Sequence, residues 1–246
     1  MSDPQPTNPN VWTHLRAGIA QHAPHIQPGP IDDSPTPDEP GHPDYHRARR
    51  AEWALARWHT ATPPRYRHAN ATHPDVQAWA DRVINDPTTA GNLLLIGTTG
   101  TGKTHQAFGA LRRIAAAGPD PKTYEIRALT AADMYGLLRP KGSERGSEEE
   151  LKRLCRVPLL ILDDLGAAKG SEWVEDITGR LVNNRYNASL PTLYTSNLPA
   201  DSTGQDGRKH GPDLTEALGE RIVSRLSQDT TVIAMTGPDR RRLHAA

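Results

Sequence analysis

Eight residues, Gly97-Thr98-Thr99-Gly100-Thr101-Gly102-Lys103-Thr104, constrain this chain more than any other stretch. Four residues separate the first glycine from Gly-Lys-Thr, which is the spacing of a phosphate-binding loop. The flanks agree with that reading. Asn92-Leu93-Leu94-Leu95-Ile96 reads as a buried strand, and Lys103 to Ala117 reads as a helix. Glycines let successive backbone N–H groups curl around phosphate oxygens, and a helix N-terminus adds positive potential. In such a loop Lys103 reaches the β- and γ-phosphates and the Thr104 hydroxyl sits on Mg²⁺. The expected ligands are therefore a nucleoside triphosphate and Mg²⁺.

Repeated units surround the loop. Asp75 to Asn85 has an apolar face of Val76, Trp79, Ala80 and Val83; Thr123 to Ala128 reads as a second strand and Ala131 to Leu138 as a short helix. A charged loop over 141–150 runs into a helix at 147–156. Val157 to Leu162 is a nearly unbroken apolar run, as expected of a central parallel strand. A helix at 171–189, a strand at 191–196, a polar loop near 200–213, a helix at 213–226 and a strand at 230–235 follow. Alternating helices and buried strands predict an α/β fold, a parallel sheet covered on both faces.

Two carboxylates, Asp163 and Asp164, end the apolar run, at the edge of the sheet where parallel folds bind ligands. Asp163 suits the Mg²⁺ shell, and Asp164 suits orientation or deprotonation of an attacking water. Asn197, just past the strand at 191–196, could hold that water or touch the γ-phosphate, or be an ordinary turn residue. Arg221 and Arg225 share one helical face, with Leu218, Ile222 and Leu226 on the apolar side. They are either surface arginines paired with Glu216 or Glu220, or arginines that reach a neighbouring subunit's γ-phosphate.

The region before residue 70 has another character. Ten of the 22 prolines lie within residues 1–44, and six acids stand against one arginine in residues 1–45, a net of −5. Such a stretch buries too little apolar surface to offset chain entropy, so residues 1–43 are expected to be a largely disordered Pro/His-rich extension. Residues 46–68 carry six arginines against Glu52, a net of +5. Residues 44–58 have helix-forming composition, with arginines interleaved with Trp53 and Trp58. This basic aromatic helix and linker, 44–70, either docks a partner or packs its tryptophans on a core spanning 71–246.

Formal net charge is zero, so no global field advertises a polyanionic partner. The single Cys155 excludes an intramolecular disulfide and any multi-cysteine zinc site. No apolar run reaches spanning length and the start lacks a secretory pattern, so no membrane association and a cytoplasmic location are expected.

Taken together, the motifs resemble the DnaC/IstB-like branch of AAA+ ATPases, which includes bacterial and phage helicase loaders and transposition helper ATPases. The resemblance covers roughly residues 62–242. It rests on Gly97 to Thr104, Leu160-Ile161-Leu162-Asp163-Asp164-Leu165-Gly166, Asn183-Asn184-Arg185-Tyr186-Asn187, Leu193-Tyr194-Thr195-Ser196-Asn197 and Leu218 to Leu226. It implies a P-loop NTPase fold of the ASCE type, and it narrows the nucleoside triphosphate to ATP. Because the chain stops soon after 242, it also implies no separate C-terminal lid. By the same resemblance Asn197 corresponds to sensor 1, Arg225 to the finger acting in trans, and Arg221 to its companion. Arg241 corresponds to the sensor 2 arginine, with Arg240 and Arg242 as alternative registers. The implied function is a slow, DnaC-like helicase-loader ATPase, a homo-oligomer that works with a replicative helicase and single-stranded DNA. An IstB-like transposition helper on duplex DNA and a nucleotide-binding adaptor with negligible turnover are the alternatives.

Overall fold

A computed structural model describes residues 34–121, 124–168, 170–203 and 208–240, with His14, Ala17, Gly18 and Gln21 besides. The expected extension therefore falls mostly outside the described residues. The chain divides between Pro43 and Asp44, and residues 44–246 form one compact unit.

Five parallel strands make the sheet: β1 (Asn92–Ile96), β2 (Ile126–Thr130), β3 (Leu159–Asp163), β4 (Thr192–Ser196) and β5 (Thr230–Ala234). Their order is β2-β3-β4-β1-β5, so β1, which feeds the phosphate loop, lies between β4 and β5. Alternation along each strand separates two cores. Leu93, Leu95, Leu159 and Ile161 face one side, where α1 (Pro43–Ala61), α2 (Pro74–Asn85) and α3 (Lys103–Ala116) pack. Leu94, Leu160, Leu162 and Tyr194 face the other. That side is covered by α4 (Ala131–Leu138), α5 (Ser147–Arg156), α6 (Glu172–Asn187), α7 (Leu214–Leu218) and α8 (Glu220–Ser227).

Helix α1 is fastened to this body. Ala54 and Trp58 are buried in the first core, the Trp58 indole N–H donates to Phe108 O at 3.1 Å, and Arg112 lies over its ring. Arg50 donates to Gly118 O at 2.9 Å, just beyond the end of α3. Pro63 and Pro64 then end the helix and open a 3₁₀ turn, Pro64–Tyr66, whose Tyr66 ring stacks on Phe108. Farther on, the Gln106 side chain accepts from the backbone of Thr72 and His73, which pins the connection to α3.

Two sequence expectations move. The second strand runs Ile126–Thr130 instead of 123–128; it is the sheet edge and every residue is half-buried, so no apolar run marks it. The helix expected over 213–226 is two helices, because Gly219 at φ 86° ends α7 and starts α8 in a region that favours glycine. Cys155 is half-buried, and burial pushes its thiol pKa up, as suits a packed thiol. Among the described residues no helix is long and apolar enough to cross a membrane.

Candidate nucleotide site

The phosphate loop closes on glycines where no other residue fits. Gly97 has φ 147°, and a Cβ there would run into Met235 O; Gly100 at φ 89° would meet the Asp239 carboxylate. Gly102, at φ 97°, is the N-cap of α3. The loop thus presents the N-terminus of a helix with backbone groups turned inward, the arrangement that binds anions.

Lys103 is 6 % exposed and follows that cap. Its ammonium donates to Gly97 O at 2.7 Å, Thr98 O at 2.9 Å and Asn197 Oδ1 at 2.8 Å. The Asn197 amide donates in turn to Asp164 Oδ1. One amide therefore bridges the cation of the phosphate loop and the second carboxylate of the β3 end. Beside it, Thr104 Oγ1 donates to Asp163 at 3.0 and 3.2 Å. A threonine hydroxyl and a carboxylate within one hydrogen bond of each other at the head of a phosphate loop form an oxygen-only donor pair. That pair suits a hard divalent cation such as Mg²⁺.

These residues share a cleft of about 680 Å³ with Thr99, Gly100, Gly102, Thr130 and Thr195. Gly97, Thr98 and Thr101 complete the loop behind it: Gly97 and Thr98 hold the Lys103 ammonium through their carbonyls, and Thr101 Oγ1 donates to Thr98 O at 2.9 Å. Arg240, one of the alternative registers for the sensor 2 arginine, also lines the cleft, as do Arg65, Tyr66 and His105, which were not singled out by sequence. The nearest signal is the 3₁₀ turn after Pro63-Pro64, which brings Arg65 and Tyr66 to the start of α3. Burial, and then the charge of Arg240, lower the His105 pKa, so a neutral imidazole faces the cleft near neutral pH. Arg240 N donates to Gly100 O at 3.1 Å, which lays the chain after β5 across the phosphate loop. Arg241 lies outside the described residues.

Arg221 and Arg225 do not line this cleft. They flank a second one, about 810 Å³, between α6 and α7–α8, with Glu175, Asp176, Asn183 and Asn184 opposite. Arg225 lies over the Tyr186 ring at 5.0 Å and donates to Gln228 Oε1 at 3.1 Å. Neither arginine pairs with Glu216 or Glu220. In the same sequence block Arg185 is a core residue, 1 % exposed. It donates to Leu154 O, Val157 O, Pro191 O and Thr192 Oγ1. With no carboxylate beside it, burial brings its pKa down to about 10.

Comparison with known proteins agrees with this geometry. The family model described as IstB-like ATP binding protein matches residues 80–244. The chain belongs to that family. It is an ATP-binding AAA+ protein of the P-loop class. The replicative helicase loader DnaI of Bacillus subtilis (strain 168) is 27 % identical over 156 residues, 61 % of this chain and 47 % of that protein. An insertion sequence IS5376 putative ATP-binding protein of Geobacillus stearothermophilus is 27 % identical over 146 residues, 59 % of this chain and 53 % of that one. The chain thus spans about half the length of these relatives. Its fold matches the crystal structure of the DnaC helicase loader with a TM-score of 0.56, at 24 % identity. That match covers 71 % of this chain and all of the other.

Proposed function

We propose that this protein is an ATP-hydrolysing assembly switch of the DnaC-like, helicase-loading kind, built as a homo-oligomer whose nucleotide sites are completed across subunits. One observation carries the proposal. The phosphate loop, Asp163, Asp164 and Asn197 share a cleft, whereas Arg221 and Arg225 face outward from another, without a carboxylate partner among the described residues.

In this reading the backbone of Gly97 to Gly102 and the Lys103 ammonium hold the triphosphate. Thr104 and Asp163 would hold Mg²⁺, which would supply charge neutralisation on the phosphates. Lys103 trades Asn197 Oδ1 for phosphate oxygen, which frees the amide to orient a water beside Asp164. Asp164 accepts that water's proton. An aspartate reaches less far than glutamate, so turnover is slow. Arg240 or its neighbour Arg241 supports the phosphates from the far side, and Arg225 enters from the adjoining subunit with Arg221 beside it. Partner contact is assigned to the chain ahead of residue 70, with single-stranded DNA as the nucleic acid and the cytoplasm as the setting.

A second reading is favoured by the family match and by the insertion-sequence relative: a transposition helper that assembles on duplex DNA. Phosphate release by the full chain, measured alone and with single-stranded or duplex DNA, separates the possibilities. Stimulation by single strands, together with capture of a replicative helicase by the full chain, supports the loader. Stimulation by duplex alone supports the helper. ATP binding with no turnover under any condition leaves a nucleotide-dependent adaptor and removes the ATPase proposal.

A further inference from the structure

One buried hydroxyl holds both acidic residues of the site. Thr195, 1 % exposed on β4, donates from Oγ1 to Asp163 Oδ1 and accepts at the same oxygen from Asp164 N at 2.9 Å. Its own carbonyl accepts from Leu165 N at 2.8 Å, and the next residue, Ser196, donates from Oγ to Leu165 O at 2.7 Å. The turn held this way is unusual. Asp164 has φ 59°, the left-handed region that a non-glycine residue enters only at a cost. In that conformation the Asp164 carboxylate reaches Asn197, two residues beyond Thr195 and just past the end of β4.

We propose that Thr195 is a positioning residue that presets the carboxylate pair. A threonine hydroxyl has one proton and two lone pairs. Here the proton is spent on Asp163 Oδ1, which also accepts from Thr104 at 3.0 Å; Oδ2 accepts from Thr104 alone, at 3.2 Å, and is the less engaged oxygen available to a metal ion beside the Thr104 hydroxyl. One lone pair takes the Asp164 N–H and holds the left-handed turn. The adjacent β1–β4 pairing fixes the height of Thr195, which is opposite Leu95, two residues before the phosphate loop. Metal-side and water-side carboxylates are thereby set by a single atom on the strand that leads into Asn197.

This inference rests on Asp163 as the Mg²⁺ ligand, and the test separates the two. Binding of a fluorescent ATP analogue to the full chain is measured in EDTA and in Mg²⁺, alongside kcat and KM for ATP. Thr195→Val keeps the branched shape and removes the hydroxyl. It is expected to leave binding in EDTA within about twofold of wild type, to lose the tightening that Mg²⁺ gives, and to lower kcat at least tenfold. Thr195→Ser restores both. Asp163→Ala is the reference for the reading beneath: if it keeps the wild-type Mg²⁺ response, Asp163 is not the ligand. If Asp163→Ala loses that response while Thr195→Val keeps it, the positioning role alone is overturned. Equal loss of EDTA binding and thermal stability in Thr195→Val, unrepaired by serine, makes the hydroxyl a packing element and also overturns it.

Discussion

Lys103 and Arg225 are cations on helices that each start at a glycine, Gly102 and Gly219, yet they end up in opposite circumstances. Lys103 is buried and its three protons are all taken, by Gly97 O, Thr98 O and Asn197 Oδ1. Arg225 is exposed, held by an aromatic face and one neutral amide. A buried ammonium without acceptors would be costly, so the resting site supplies substitutes for phosphate oxygen. An exposed guanidinium needs no such cover, and a partner outside the chain can claim it. In the proposed switch the first cation belongs to a site within one chain, and the second to a site completed by a neighbour.

The contrast can be broken most forcefully at Lys103. Lys103→Ala is expected to weaken ATP binding at least 100-fold, measured by titration with a fluorescent ATP analogue. Binding within tenfold of wild type would show that the ammonium is a structural plug. Next comes Arg225→Ala, expected to bind ATP normally and to lose at least 100-fold in kcat. Mixing it with Asp164→Ala should restore activity, since a mixed interface pairs an intact arginine with an intact acid. Without restoration, Arg225 does not act across subunits.

A third test concerns the support behind Lys103 instead of the site. Trp58→Ala empties core space against α3 and should cost about 3–5 kcal/mol, read from denaturant unfolding. The smallest effect is assigned to Tyr186→Leu, which removes the face beneath Arg225. A two- to fivefold fall in kcat at unchanged ATP affinity is expected; a full loss would make Tyr186 part of the chemistry.

How much of this was legible in the sequence follows from how local each feature is. The phosphate loop and the strands at 92–96 and 159–163 are local: spacing and apolar runs announce them, although the latter strand starts two residues into the apolar run that begins at Val157. The edge strand at Ile126–Thr130 is half-exposed throughout, so its position came only from pairing with β3. Gly219 was visible but weighed less than the helical spacing of Leu218, Ile222 and Leu226. The roles of Thr195, Arg65 and Tyr66 depend on register and chain path, which no spacing within one element encodes. Arg185 sits in one of the blocks that carry the resemblance, yet its guanidinium ties carbonyls at the end of α5 and just ahead of β4, a role that only the folded chain reveals.

Helix α1 touches α3 at two separated places: Trp58 grips Phe108 O near its middle, and Arg50 grips Gly118 O just past its end. Two contacts this far apart fix the direction of α1 along α3 as well as its position. The helix that opens the compact unit is thereby part of the frame that carries Lys103.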